Sequence, residues 1–233
     1  MEVNSLETVE YTKVNAGVTK DKERIVREIG LSISINQRHF TTAMIMPVMD
    51  KEFIIGYLFG QGFINDITEI GSITIKDNIA QVSLPEKKEK TKTSPTIHSG
   101  LKVRRENIFN CVKAILKSEV FAETEAVHSA GLFLHGAEPV CIAEDIGRHN
   151  ALDKVTGYGL LHNIDFSDTV AASTGRQPSE MILRCRQANI PIIATKGVPT
   201  TLAIDLARKA GITIAGLVRG NTMTVYSNPD RIA

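Results

Sequence analysis

Two hydrophobic regimes divide the chain. In the first, Leu31-Ser-Ile-Ser-Ile35 alternates apolar with polar, the period of a half-buried strand. His39–Met46 reads as a partner strand, stopped by Pro47. Asp50 is placed to cap a helix whose Phe53, Ile54, Tyr57 and Leu58 share a face. Gly60 and Gly62 end it. Glu69–Ile75 and Ile79–Leu84 flank Asp77-Asn78, a hairpin signal. Glu86–Lys92 is a charge run and reads as a linker or mobile loop. Met1–Lys20 is polar and mixed in charge, which predicts a loose tail and no secretory leader.

The second regime alternates strands with helices. Arg104–Ser118 carries Ile108, Cys111, Val112, Ile115 and Leu116 at helical spacing. Strands are predicted at Leu132–Leu134, Val140–Ala143, Thr169–Ser173, Ile192–Thr195 and Ile212–Val218. Helices are predicted at Ala151–Leu161, Ser179–Ala188 and Thr200–Ala210, the last stopped by Gly211. This order indicates an α/β layer domain, α+β overall, with a smaller strand-rich N-terminal subdomain. The division is 1–92 for that subdomain with its one helix, 93–103 for a mobile loop, and 104–233 for the α/β domain.

Four polar clusters follow predicted strands. They are Glu144–Asn150, Ser173–Arg176 with Ser179-Glu180, Lys196-Gly197 with Pro199–Thr201, and Arg219–Thr222. If the strands are parallel neighbours, these clusters share one edge of a sheet. Arg148, Arg176, Lys196 and Arg219 would then lie near the helix starts at Ser179 and Thr200. Guanidinium forks and helix N-termini suit a phosphate or diphosphate. Each cluster alone also fits a turn and a cap, and Glu144–Lys154 alone fits a salt-bridged helix start. His149 lies among Arg148, Asp145 and Asp153, which also leaves open a general acid or base. His128 and His135 flank a short apolar strand, where a structural role is the commoner one.

Composition narrows the classes. The 233 residues carry a net charge of +1, so nothing draws the whole molecule to nucleic acid or to a membrane surface. There is no Trp to build a base-stacking platform, and no apolar run long enough to span a bilayer. Cys111, Cys141 and Cys185 lack paired spacing, which indicates a reducing compartment and structural thiols. Neither GxGxxG nor GxxxxGK[ST] is present. A zinc deaminase would need H-x-E and P-C-x-x-C, but the chain has His128-Ser-Ala130 and Pro139-Val-Cys141. No metal is expected to be bound by protein side chains.

Glu144-Asp-Ile-Gly-Arg-His-Asn-Ala-Leu-Asp-Lys154 resembles the signature of the formate dehydrogenase accessory sulfurtransferase family, FdhD/NarQ. Val127-His-Ser-Ala130, Thr174-Gly-Arg176 with Ser179-Glu-Met181, Val198-Pro-Thr200 with Ala203–Ala207, and Gly216–Gly220 resemble further family segments in order. So do Ile35-Asn36, and Pro47 with Gly56-Tyr-Leu58 and Gly62-Phe-Ile64. The resemblance implies a cytidine-deaminase-like α/β/α layer domain without zinc, in a cytoplasmic homodimer. It implies binding of molybdopterin guanine dinucleotide in its bis, molybdenum-bearing form. It further implies sulfur transfer from a cysteine desulfurase to that cofactor, on behalf of formate dehydrogenase. Carried over position by position, the cofactor-binding residues are Leu217, Val218, Arg219, Gly220, Asn221 and Thr222. Arg148, His149, Asn150, Asp153, Thr174, Arg176, Lys196, Thr200 and His128 join them from the rim. The family's carrier is a C-x-x-C pair, and Thr96 and Ser99 stand where those cysteines would. A hydroxyl cannot hold a persulfide. Three readings remain: a cofactor-binding accessory factor with or without sulfur transfer, a zinc-free enzyme acting on a nucleotide or base, and a module whose rim recognises a protein.

Overall fold

The computed structural model describes residues 5–85 and 96–233. The charge run 86–92 lies outside them. The described N-terminus is a β-hairpin, β1 (Leu6–Val14) and β2 (Val18–Val26), not the tail that its polarity suggested. Its strands are exposed on both faces, so no apolar alternation announces them. Glu10 faces Lys22 across the ribbon at 3.2 Å, and Arg24 reaches Glu123 at 3.0 Å.

A four-stranded sheet follows, in the order β4-β3-β6-β5. It comprises β3 (Ile29–Ile35), β4 (Arg38–Ile45), β5 (Ser72–Lys76) and β6 (Ile79–Ser83). Asn36 and Gln37 turn the first hairpin and Asp77 and Asn78 the second, all with positive φ, as a two-residue primed turn requires. Between the hairpins runs α1 (Asp50–Gly60). Asp50 is its first residue rather than its cap. The cap position is Met49, in the left-handed region at φ 57°, and no side chain bonds the helix start.

The remaining strands form a six-stranded sheet in the order β12-β11-β10-β9-β7-β8. They are β7 (His128–Leu134), β8 (Glu138–Asp145), β9 (Thr169–Ser173), β10 (Ile192–Thr195), β11 (Thr213–Arg219) and β12 (Thr222–Ser227). Strands β9, β10 and β11 are mutually parallel. Strand β7 opposes both β9 and β8, so β8 runs with the parallel set. The helices are α2 (Arg105–Ile115), α3 (Glu119–Thr124), α4 (Arg148–Leu161), α5 (Ser179–Gln187) and α6 (Thr201–Ala210). Alternate strand residues serve two cores. Ala171, Ile193 and Ile214 join Leu152, Met181 and Ala207 of α4, α5 and α6. Val170, Ala172, Ile192 and Ala194 join Ile108, Val112 and Ile115 of α2. The sheet is thus covered on both faces, which explains its nearly continuous apolar strands.

The two regimes share a core. Residues of β3, α1 and β6 cluster with those of α4, α5 and α6. At the junction α1 and α4 cross backbone to backbone. A Cβ on Gly56 would lie 1.8 Å from the Asp153 carbonyl oxygen, and one on Gly157 would lie 1.9 Å from that of Glu52. Glycine is required there by close approach. Replacing an ordinary helix glycine by alanine gains about 1 kcal/mol of propensity. Gly56→Ala and Gly157→Ala should instead lose about 1–3 kcal/mol or more, because the helices must part. Urea denaturation of each variant measures the sign.

Candidate functional site

Because β8, β9, β10 and β11 run the same way, their C-terminal ends share one edge. The starts of β7 at His128 and of β12 at Thr222 lie there too. All four polar clusters therefore fall on one rim. The helix N-termini of α4, α5 and α6 open on the same edge, following β8, β9 and β10.

Hydrogen bonds to the backbone stitch the loops of this rim together. Thr195 Oγ1 donates to the Gly175 carbonyl at 2.6 Å and accepts from Gly197 N–H at 2.9 Å. Gln177 Nε2 donates to the same carbonyl at 3.1 Å. Gly197 carbonyl accepts from Leu217 N–H at 2.9 Å. A Cβ on Gly197 would sit 2.8 Å from the Gly175 oxygen, so these loops need glycine to meet. Leu217 has φ 52° at an irregularity in the β11–β12 pairing. Thr195 and Gln177 were missed as site residues. The first read as a strand end, and the second falls between Arg176 and Ser179 with no charge to mark it.

The cations lie on this stitched edge. Arg176, Lys196 and Arg219 are exposed, and so are Gly220, Asn221 and Thr222. Arg148 is half-buried against Gly175, where a Cβ would come within 2.9 Å of its methylenes. Its Nε is buried without a hydrogen-bond partner, a donor pointed at nothing the protein supplies. Thr200 caps α6, accepting from Ala203 N–H at 3.3 Å, and no side chain caps α5. Thr174 Oγ1 accepts from Ser129 N–H at 3.1 Å and lies 3.3 Å from His128 Nδ1. His128, Thr174 and Lys196 also line a cleft of roughly 270 Å³, walled by Leu116, Phe121 and Val127.

Much of the signature segment serves structure. Asp145 and Lys154 form an ion pair of 2.7 Å with both side chains fully buried. Lys154 Nζ also donates to the carbonyls of Met46 and Glu144, at 2.9 and 3.0 Å. Asp145 accepts from Met46 N–H, Gly147 N–H and Asn150 Nδ2. Asn150 Nδ2 donates in addition to the Met44 carbonyl. Asp153 is 1% exposed and accepts two bonds from Arg184, at 2.8 and 3.3 Å. Burial pushes its pKa up to about 6, against the opposing pull of Arg184. Asn150 and Asp153, expected on the binding surface, therefore support the rim from beneath. Val218 is likewise interior, at 3% exposure.

The acid–base reading of His149 changes accordingly. Asp145 and Asp153 are both committed elsewhere. His149 Nε2 instead lies 3.4 Å from a Glu180 oxygen without forming a hydrogen bond. Burial, then Arg184 and Arg148, push its pKa down to about 4. Burial and Arg148 lower His128 as well. Both rings are neutral at pH 7, so the positive charge there comes from arginine and lysine.

The segment expected to correspond to the carrier loop lies at the opposite edge of the sheet. Ile97 N–H donates to the Ala210 carbonyl at the end of α6. His98 and Asn189 exchange two hydrogen bonds, and Ser99 Oγ donates to the Ser167 carbonyl at 2.6 Å. Residues 96–103 of the expected mobile loop are thus tied down by the ends of α5 and α6 and the approach to β9. Thr96 is exposed there. Burial pushes all three thiols, Cys111, Cys141 and Cys185, up to about 12, far from a reactive thiolate. Among the described residues, no three His, Cys, Asp or Glu side chains are gathered to hold a metal.

Comparison with known proteins follows the same outline. The model of the FdhD/NarQ family matches residues 26–97 and 83–233. The chain is 32% identical to a sulfur carrier protein FdhD of Geobacillus kaustophilus, over 94% of this chain and 93% of that one. It is 34% identical to the protein of the same name from Sulfurisphaera tokodaii, over 83% and 84%. A solved structure from Desulfotalea psychrophila, provisionally designated a formate dehydrogenase accessory protein, superposes with a TM-score of 0.87 at 28% identity. The superposition covers 99% of this chain and all of that one.

Two outcomes test this geometry. Lys154→Met leaves Asp145 buried without its cation and should cost about 3–5 kcal/mol in urea denaturation. His149 should titrate near pH 4 by NMR. Its folded pKa lies below the unfolded 6.5, so its share of stability is complete above pH 6.5 and is lost as pH falls toward 4.

Proposed function

Since the chain belongs to the FdhD/NarQ family, we propose that it is an accessory factor of formate dehydrogenase maturation that holds molybdopterin guanine dinucleotide on its rim and carries no sulfur itself. The observation that carries the reading is the buried, unpartnered Arg148 Nε among Arg176, Lys196 and Arg219 at the ends of four strands running the same way. Diphosphates need positive charge and converging donors, and this edge has both. The cleft beside it suits a ring system rather than a phosphate, because Leu116, Phe121, Val127 and Ile146 wall it. The residues present therefore fit the group.

Arg148, Arg176, Lys196 and Arg219 would hold the diphosphates, with Thr174, Asn221, Thr222 and the rim backbone giving direction. When bound, the cofactor supplies molybdenum as the sulfur acceptor. The chain's own part is to bind it, orient it and keep neutral His128 and His149 beside it. The proposal extends, by resemblance to the family, to the bis, molybdenum-bearing form, a homodimer, a cytoplasmic setting, and cysteine desulfurase and formate dehydrogenase as partners. The order β8-β7-β9-β10-β11, with β7 reversed and helices on both faces, supports the deaminase-like reading of the layer domain.

Two features of the chain argue against a persulfide role. Thr96 and Ser99 stand where the family resemblance expects the carrier cysteines, and burial pushes the pKa of every cysteine in the chain up to about 12. The cofactor grip is kept and the persulfide thiol is gone.

In calorimetry with guanosine diphosphate, Arg176→Ala and Arg219→Ala should each weaken binding by about 1.5–3 kcal/mol. Unchanged affinity in both removes the rim from the account. A cysteine-free variant should bind as the parent does. Mass spectrometry after co-expression with a desulfurase should find retained dinucleotide and no persulfide on any of the three cysteines.

A further inference from the structure

The ribbon β1–β2 stands apart from both cores. It pairs nine residues with nine, a length of roughly 30 Å. Leu6 is its one buried side chain. A two-stranded ribbon with both faces in water is only marginally stable by itself. Its tip carries the two most exposed large apolar side chains among the described residues, Val14 at 75% and Val18 at 72%. The ribbon lies ahead of residue 26, where the family match begins.

Opposed residues of an antiparallel pair share a face, so the register sorts the charges. One face holds Lys20, Lys22 and Arg24 against Glu10. The other holds Glu7, Asp21 and Glu23 against Lys13, around Val9, Tyr11 and Ile25. The basic face turns to α3, where Arg24 meets Glu123 at 3.0 Å. The acidic face therefore looks outward, and Ile25 on it is 41% exposed. A ribbon that only had to stay soluble would be served by mixed charge on both faces. Charge of one sign gathered around an apolar centre is the make-up of a docking surface.

We propose that the acidic face of this ribbon docks the enzyme that takes up the dinucleotide, formate dehydrogenase in its empty form. The proposal rests on the cofactor-binding reading above and names the partner met at that same edge. Two arguments select this partner. The first is position. Arg24 roots the ribbon on α3, and Phe121 of α3 lines the cleft at the strand ends. A protein held by the ribbon therefore stands beside the cofactor, and residues 97–101 lie at the far edge. The second is charge. An enzyme that seats diphosphates and is still empty presents uncompensated cations at the mouth of its site. The rim of this chain is itself cationic and repels such a mouth, so an adjoining acidic surface is needed to bring the two together. Once the cofactor has crossed, its phosphates neutralise those cations and the attraction falls. The ribbon thus favours the empty partner and releases the filled one.

Binding of the immobilised full chain to purified formate dehydrogenase, in apo and cofactor-loaded forms, tests the assignment. The parent should bind the apo form about 10-fold more tightly than the loaded form, and high salt should shrink the difference. Asp21→Lys combined with Glu23→Lys should weaken binding of the apo form by about 10-fold or more and leave affinity for guanosine diphosphate unchanged. Ile25→Ser keeps the charge and removes part of the apolar centre, and should weaken apo-enzyme binding by about 3-fold. Lys20→Glu combined with Lys22→Glu, on the other face, should cause no loss. Unchanged apo-enzyme binding in either acidic-face variant, or an equal loss from the basic face, overturns the proposal while the rim stands. So does a parent that binds guanosine diphosphate but ignores the apo-enzyme, or binds apo and loaded forms alike. A parent dimer that the charge reversal splits, with apo-enzyme binding intact, gives the ribbon to a second copy and overturns it too. Failure of the parent to bind guanosine diphosphate overturns the cofactor reading together with it.

Discussion

The Asp145–Lys154 pair fixes where everything else can go. It joins the end of β8 to the first turns of α4, and through Met46 it reaches the segment between β4 and α1. A fully buried pair of charges gains little by itself, because desolvation offsets most of the attraction. What it contributes is uniqueness: two buried charges have one arrangement in which every donor and acceptor is met. That arrangement sets α4 against α1 at glycine distance and presents Arg148 and His149 at the strand ends. Asp153, the residue before Lys154, repeats the device with Arg184, clamping α5 to α4.

The rim is then a consequence of topology. Strand β7 runs against its neighbours, which lets β8 rejoin the parallel set and deliver its charged loop to the edge already holding the loops after β9, β10 and β11. Small residues allow those loops to touch, and Thr195 and Gln177 lock them. A molecule with a net charge of only +1 thereby concentrates four cations where helix N-termini also converge. At the opposite edge the chain presents the hydroxyls of Thr96 and Ser99, the latter bonded to the Ser167 carbonyl.

The elements with a buried face were legible. Thr169–Ser173 and Ile192–Thr195 were read to the residue, because both faces of those strands are buried and loops bound them sharply. The shared edge was legible as a conditional, resting on parallel neighbours. What escaped was of three kinds. The hairpin β1–β2 carries no apolar alternation, since both of its faces meet water. The roles of Asn150 and Asp153 escaped because a polar residue in a polar run looks the same whether it faces a ligand or a buried partner. Only the positions of Asp145 and Arg184, the latter 31 residues beyond Asp153, decide it. The cleft escaped for a third reason: α3 has six residues and no clear period, so no wall was expected beside His128.

One spectrum tests the central claim most directly. Guanosine diphosphate added to the 15N-labelled protein should shift the amides of residues 174–177, 196–201 and 217–222, together with His128, and leave residues 97–101 in place. Shifts confined to residues 97–101 and the ends of α5 and α6, or no shifts at millimolar nucleotide, would contradict a cofactor grip at the strand ends.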